Sequence, residues 1–191
     1  GAMTDPFQPK TLLVTGGAGF IGSNFIHGVL GANPTVRIVT LDALTYAGSL
    51  DNLAGLPDPS RHRFVHGDIR DPAIVERVFR DEPIDAVVHF AAESHVDRSI
   101  DDATAFITTN VVGTWVLLDA ARRAWSSGSA CRSDVRFLHV GTDEVYGSLD
   151  PSAPSSQEGD PYAPSSPYAA SKAGSDHLVR SCFVTWGLPV L

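Results

Sequence analysis

The stretch Leu12-Leu13-Val14-Thr15-Gly16-Gly17-Ala18-Gly19-Phe20-Ile21-Gly22 limits what this chain can fold into more than any other. An apolar run of strand type ends in glycines at 16, 19 and 22, and helical spacing of apolar residues resumes at once, from Gly22 to Leu30. A strand that turns straight into a helix opens a βαβ unit. Glycines there allow the tight turn and let a backbone approach a pyrophosphate, whose charge a helix N-terminus favours. A glycine-rich turn with no ligand is the plain alternative, and the rest of the chain has to decide between them.

Strand and helix patterns then alternate. Strands are expected at 36–41, 64–66, 86–90 and 135–140, and helices from Pro72 to Phe79 and from Thr104 to Ala124. Asp71 before Pro72 reads as an N-cap followed by proline at the first helical position. A further helix starts at Ser166-Pro167, after a Pro- and Ser-rich stretch read as a surface loop rather than an interdomain linker. This order gives an α/β fold, a Rossmann-like doubly wound parallel sheet with its site at the carboxyl ends of the strands.

The 191 residues suit one domain, with 43% hydrophobic and 19% charged residues. A net charge of −8 with no basic block speaks against nucleic acid. No apolar run is read as long enough to span a bilayer, and no signal-peptide plan is seen, so a cytoplasmic location is expected. Cys131 and Cys182 stand far apart and read as reduced, with neither a disulfide nor a metal site indicated. Gly1-Ala2-Met3 reads as a tag remnant, leaving 4–191 as a dinucleotide-binding domain. Leu188-Pro189-Val190-Leu191 reads as the start of a strand.

Asp42 ends the second strand, 20 residues after Gly22, where a carboxylate can accept the adenosine ribose hydroxyls and repel a 2′-phosphate. NAD is therefore expected rather than NADP. Asp68, after the third strand, is a weaker candidate for the adenine edge. Further on, Tyr168 and Lys172 sit four apart, on one face of a helix. A phenol near a cation can serve as a base at neutral pH. Thr142-Asp143-Glu144 adds a hydroxyl and two carboxyls upstream. Oxidation alone needs only the tyrosine and lysine, whereas eliminating water needs a second acid and base.

With these residues in place the chain resembles the extended short-chain dehydrogenase/reductases. Leu41 to Gly48, His66 to Asp71, His89 to Ser99, Thr109 to Thr114 and Thr142 to Gly147 resemble, more narrowly, the dTDP-glucose 4,6-dehydratases. The resemblance implies an NAD-dependent lyase that makes a 4-keto-6-deoxy sugar from a nucleotide-activated glucose without net redox change. It implies that Tyr168 takes the C4 hydroxyl proton and Thr142 hydrogen-bonds that oxygen. Glu144 would remove the C5 proton, Asp143 would protonate the departing C6 hydroxyl, and Lys172 would hold the nicotinamide ribose and lower the tyrosine's pKa. Phe20, Ile21, Asp42, Ala43, Leu44, Thr45, Asp68, Ile69, Ala91, Ala92 and Thr109 match cofactor contacts beside the glycines, and Ser94 matches a substrate contact. It also implies a homodimer built on the long helix and the tyrosine-bearing helix, with Trp115, Leu117 and Leu118 as core or dimer contacts.

Two departures stand out. Gly141 occupies a position where the family usually has serine, and a C-terminal substrate domain is missing from this chain. Two other readings remain open: a related UDP-sugar dehydratase or epimerase, and a non-catalytic NAD-binding module.

Overall fold

The computed structural model describes residues 7–127 and 130–191, so the tag remnant expected at 1–3 lies outside the described residues. The strands are β1 (Thr11–Thr15), β2 (Arg37–Asp42), β3 (His62–His66), β4 (Ala86–His89), a short antiparallel pair β5 (Ser126–Ser127) and β6 (Ala130–Cys131), and β7 (Arg136–His139). The helices are α1 (Phe20–Ala32), α2 (Pro72–Asp81), α3 (Val96–Asp101), α4 (Ala103–Phe106), α5 (Thr114–Trp125) and α6 (Pro167–Trp186).

The main sheet runs β3-β2-β1-β4-β7, parallel throughout. Val190 bridges Phe137 in parallel, so the closing residues run along β7 in strand fashion. Successive strand residues face opposite ways, and the sheet uses both faces. Leu13, Val39, Leu41, Val87 and Phe137 pack under α2, α5 and α6 with Val75, Leu117, Leu118, Trp125 and Val179. Leu12, Val14, Ile38, Ala86 and Val88 pack under α1 with Ile26 and Leu30. Trp125, buried, donates its indole N–H to the Ile84 carbonyl at 2.8 Å, so its polar edge is satisfied inside the core.

Helix starts follow local chemistry. Asp71 caps α2 by accepting the Ala73 N–H at 2.9 Å, with Pro72 in the first turn. Ser166 caps α6 by accepting the Ala169 N–H at 3.0 Å, again with proline following. The expected long helix over 104–124 is one rod, but not a uniform one: Ile107–Gly113, between α4 and α5, is π-helical. The rod Ala103–Trp125 is long and apolar enough to cross a membrane by length and composition alone, a test that a core helix also passes. Here it lies on the sheet, with Leu117, Leu118, Ala121 and Trp125 in the core and Arg123 outside.

Candidate active site

At the carboxyl end of β1 the chain turns at Gly16, whose φ of +69° is left-handed. A Cβ there would lie 2.7 Å from the Ala91 backbone nitrogen, so only glycine fits between β1 and the segment after β4. α1 then begins with Gly19 as N-cap and no side chain bonded to its first turn. The leading N–H groups of a helix have no intrahelical partners and here face a cleft of ≈ 380 Å³. Phe20 and Ile21, 81% and 63% exposed, belong to the cleft rather than the core.

Asp42 is buried at the end of β2. Its Oδ2 accepts the Ala18 N–H at 2.9 Å and its Oδ1 the Leu44 N–H at 2.8 Å, pinning the glycine turn while the carboxylate lines the cleft. A carboxylate has further lone-pair sites, so both bonds leave room for ribose hydroxyls. Leu44 departs from expectation and does not line the cleft. Its φ of +51°, rare for a leucine, turns the chain so that Ala43 and Thr45 do so instead. Asp68 lines the cleft too, gripped by Arg70 through its Nε at 3.0 Å and its terminal nitrogen at 2.6 Å. Burial raises the Asp68 pKa, but the Arg70 bonds outweigh it and hold the group below the usual carboxylate range. Ile69, Ala91, Ala92, Ser94 and Thr109 complete the expected lining.

Three residues passed over in the sequence hold this edge together. Asn110, buried in the π-helical segment, donates its amide to the Glu93 carbonyl and to Ser171 Oγ, each at 2.9 Å, and accepts the Glu93 N–H at 2.8 Å. Ser171 Oγ in turn donates to the Tyr168 carbonyl at 2.7 Å. His89, buried at the end of β4, lies 2.6 Å from Thr15 Oγ1 and 2.8 Å from Thr114 Oγ1. Thr15 Oγ1 also accepts the Ala91 N–H at 3.3 Å, so the His89 ring spans two hydroxyls, each able to donate or accept. Burial pulls the His89 pKa well below its ordinary value, with the charges of His139 and Lys172 adding to it. A lone Asn inside an apolar helical run was the available signal for Asn110.

Tyr168 and Lys172 line the cleft from α6. Thr142, Asp143 and Glu144 do not line it; they form the start of a 3-10 turn, Asp143–Tyr146, just beyond β7. Thr142 caps that turn by accepting the Glu144 N–H, and its hydroxyl stands beside the Tyr168 phenol. Burial pushes the Tyr168 pKa up, Thr142 pulls it down, and the charges of Glu144 and Asp143 push it up again. Both carboxyls are therefore close enough for the phenol to feel. The Lys172 ammonium donates to the Val140 carbonyl at 2.6 Å. Burial pulls its pKa below the ordinary value, and the charge of Asp176 opposes this.

The parallel order of the sheet, the glycine turn and the tyrosine–lysine helix together define a Rossmann-like domain of the short-chain dehydrogenase/reductase class. The chain belongs within it to the family described as GDP-mannose 4,6 dehydratase, whose model matches residues 13–191. It is 57% identical over 182 residues to a dTDP-glucose 4,6-dehydratase of Xanthomonas campestris pv. campestris (strain B100), covering 95% of this chain and 51% of that one. Among solved structures, DesIV, a dTDP-glucose 4,6-dehydratase from Streptomyces venezuelae with NAD and TYD bound, has a TM-score of 0.83 at 53% identity, covering 94% of this chain and 53% of that one. A Thermus thermophilus UDP-glucose 4-epimerase in complex with NAD has a TM-score of 0.80 at 32% identity, covering 94% and 53%. The chain spans about half the length of the curated relatives it matches.

Proposed function

We propose that this chain is the NAD-binding part of a nucleotide-sugar 4,6-dehydratase acting on dTDP-glucose. The observation that carries the reading is the hydroxyl and two carboxyls of Thr142, Asp143 and Glu144 set beside the Tyr168 phenol. The cleft fits a dinucleotide: a close-approach glycine at 16, the leading N–H groups of α1 and the Asp42 carboxylate stand along one wall. When bound, NAD supplies a resting place for the hydride taken from C4 until it is returned at C6, so that no net redox change occurs.

The chain's own groups move the protons. Tyr168 takes the proton of the C4 hydroxyl, with Thr142 bonded to the same oxygen. Lys172, held by Val140, presents positive charge to the cofactor ribose. Once C4 is a ketone, the C5 hydrogen is acidic; Glu144 removes it while Asp143 gives a proton to the C6 hydroxyl, which leaves as water. Ser94 contacts the sugar. Asp143 and Glu144 are exposed, whereas Tyr168 must lose its proton from a buried position.

Of the epimerase, the UDP-sugar dehydratase and the non-catalytic module, the first is favoured by the likeness to 4-epimerases and disfavoured by the acid pair, which inversion at C4 does not use. We also infer a homodimer through α5 and α6, supported by the exposed Val112 on the rod and Val184 and Trp186 on α6, and a cytoplasmic location, supported by two free cysteines. The test is mass spectrometry of dTDP-glucose incubated with NAD and the intact enzyme of which this chain is proposed to be the NAD-binding part. Loss of one water with NAD unconsumed is expected. Binding of NAD without water loss from dTDP-glucose or UDP-glucose would overturn the dehydratase and leave the binding module.

A further inference from the structure

We propose that Asp176 is the positioning residue of the Tyr168–Lys172 pair: its carboxylate balances the lysine's charge from one helical turn away and holds the acid-bearing turn in place by way of Tyr162. The proposal rests on the roles given above to Tyr168 and Lys172.

Tyr168, Lys172 and Asp176 recur every four residues along α6 and so form a row on one face. Asp176 Oδ2 accepts the Tyr162 hydroxyl at 2.9 Å. The Tyr162 ring meets Tyr146 edge-on, with centroids 5.4 Å apart, and Tyr146 closes the turn that carries Asp143 and Glu144. The next residue, Ala163, donates its N–H to the Val145 carbonyl at 2.9 Å. Helix, loop and turn are thus joined in sequence, with Asp176 as the anchor on the rigid element.

The other carboxylate oxygen faces the sheet. Oδ1 lies 3.0 Å from His139 Nε2, at the end of β7, without the alignment of a hydrogen bond. Among the described residues, Oδ1 and His139 Nδ1 are the buried side-chain polar atoms left without a hydrogen-bond partner. A carboxylate satisfied at one oxygen and shielded from water is costly unless a nearby cation uses its charge. The charged and titratable groups facing Asp176 are Lys172 and Arg180 on α6, His139 on β7 and Tyr162 in the loop. Lys172 is the buried cation among them. Burial draws the Lys172 pKa down and Asp176 draws it up; with Asp176 neutral, only the first remains.

The chain has two lysines, Lys10 and Lys172. Carbon-13 labelled lysine therefore gives two side-chain titrations by NMR, with Lys10 as an internal reference. Asp176→Asn keeps an acceptor for Tyr162 but removes the charge, and should move the Lys172 titration down by about one pH unit while Asp176→Glu restores it. Tyr162→Phe should leave that titration in place but speed amide exchange at Gly147 and Ala163 by about tenfold. An unmoved Lys172 titration in Asp176→Asn overturns the charge role, and unchanged exchange in Tyr162→Phe overturns the tether. If Asp176→Asn does not fold, the unaltered chain decides: its Lys172 signal should show a second step as Asp176 protonates, and a single step overturns the pairing. None of these measurements uses NAD. A chain that titrates as expected yet fails to bind NAD would refute the proposed function and leave the pairing standing.

Discussion

At Gly141 the backbone passes Asp176 Oδ1 with no side chain to offer it. A Cβ there would lie 3.6 Å from Oδ1, an ordinary contact, and the residue's φ is not left-handed. Gly141→Ser should therefore add a hydroxyl donor to a buried, unsatisfied oxygen and stabilise the chain by about 1 kcal/mol, measured as a shift in the urea midpoint at constant slope. Glu144 is the other residue with a clear expectation. Glu144→Gln keeps its size and removes both a base and a charge. In the intact enzyme, sugar oxidation should persist while product falls by about 10²–10⁴-fold, so the reduced cofactor accumulates and can be followed by absorbance. The same change removes a charge that raises Tyr168, so the pH midpoint of oxidation should move down. Full activity in this variant would remove Glu144 from the base role.

Among the elements, β4 and the rod beneath it set the pH response. His89 joins the ends of β1 and β4 to the first residue of α5 while neutral and buried. The unfolded chain takes up a proton on this residue near the ordinary histidine pKa, 6.5, whereas the folded chain resists it until well below. Its contribution is thus fully present above that pH and is lost as pH falls. His139 acts with the same sign, because burial lowers it too. Urea unfolding between about pH 7.5 and 5.5 should show stability falling toward acid, by at most about 1.4 kcal/mol per pH unit for each histidine. The strands of the main sheet, the Asp71 and Ser166 caps and the glycine turn were legible beforehand because each is fixed by a local pattern: a short apolar β-branched run, a capping side chain, or a residue without a Cβ; the short pair β5–β6 was not. Nor was the π-helical segment: its β-branched residues and Gly113 weaken helix propensity without selecting a wide turn over an α-helical one, and the partners of Asn110 come from Glu93 and Ser171, far along the chain. The acid pair was legible in type but not in setting; it lies on a 3-10 turn, where neighbouring side chains need not point apart as they would on a strand.

For the molecule as a whole, the candidate site is assembled where β1, β2, β4 and β7 end together, and each strand delivers a different function to the edge. Asp42 delivers the negative charge, so the chain should distinguish the two nicotinamide cofactors. NAD at a hundredfold its Kd should stabilise it by about 2.7 kcal/mol in a thermal or urea titration, and NADP at the same concentration by clearly less. Equal stabilisation would mean that Asp42 only pins the glycine turn. Beside α6, on the same face of the sheet, runs the rod of α4, the π-helical segment and α5, and its wide turn acts as a phase shifter. An α-helix advances about 100° per residue, so the extra residue in the wide turn rotates everything after it relative to everything before. Phe106 is thereby indexed to the ring of Tyr168, and Leu117, Leu118 and Trp125 to the sheet, two bearings that a uniform helix of the same sequence could not hold at once. Removing a single residue from 107–113 would leave every side chain needed for either half in the chain, yet let only one half keep its alignment.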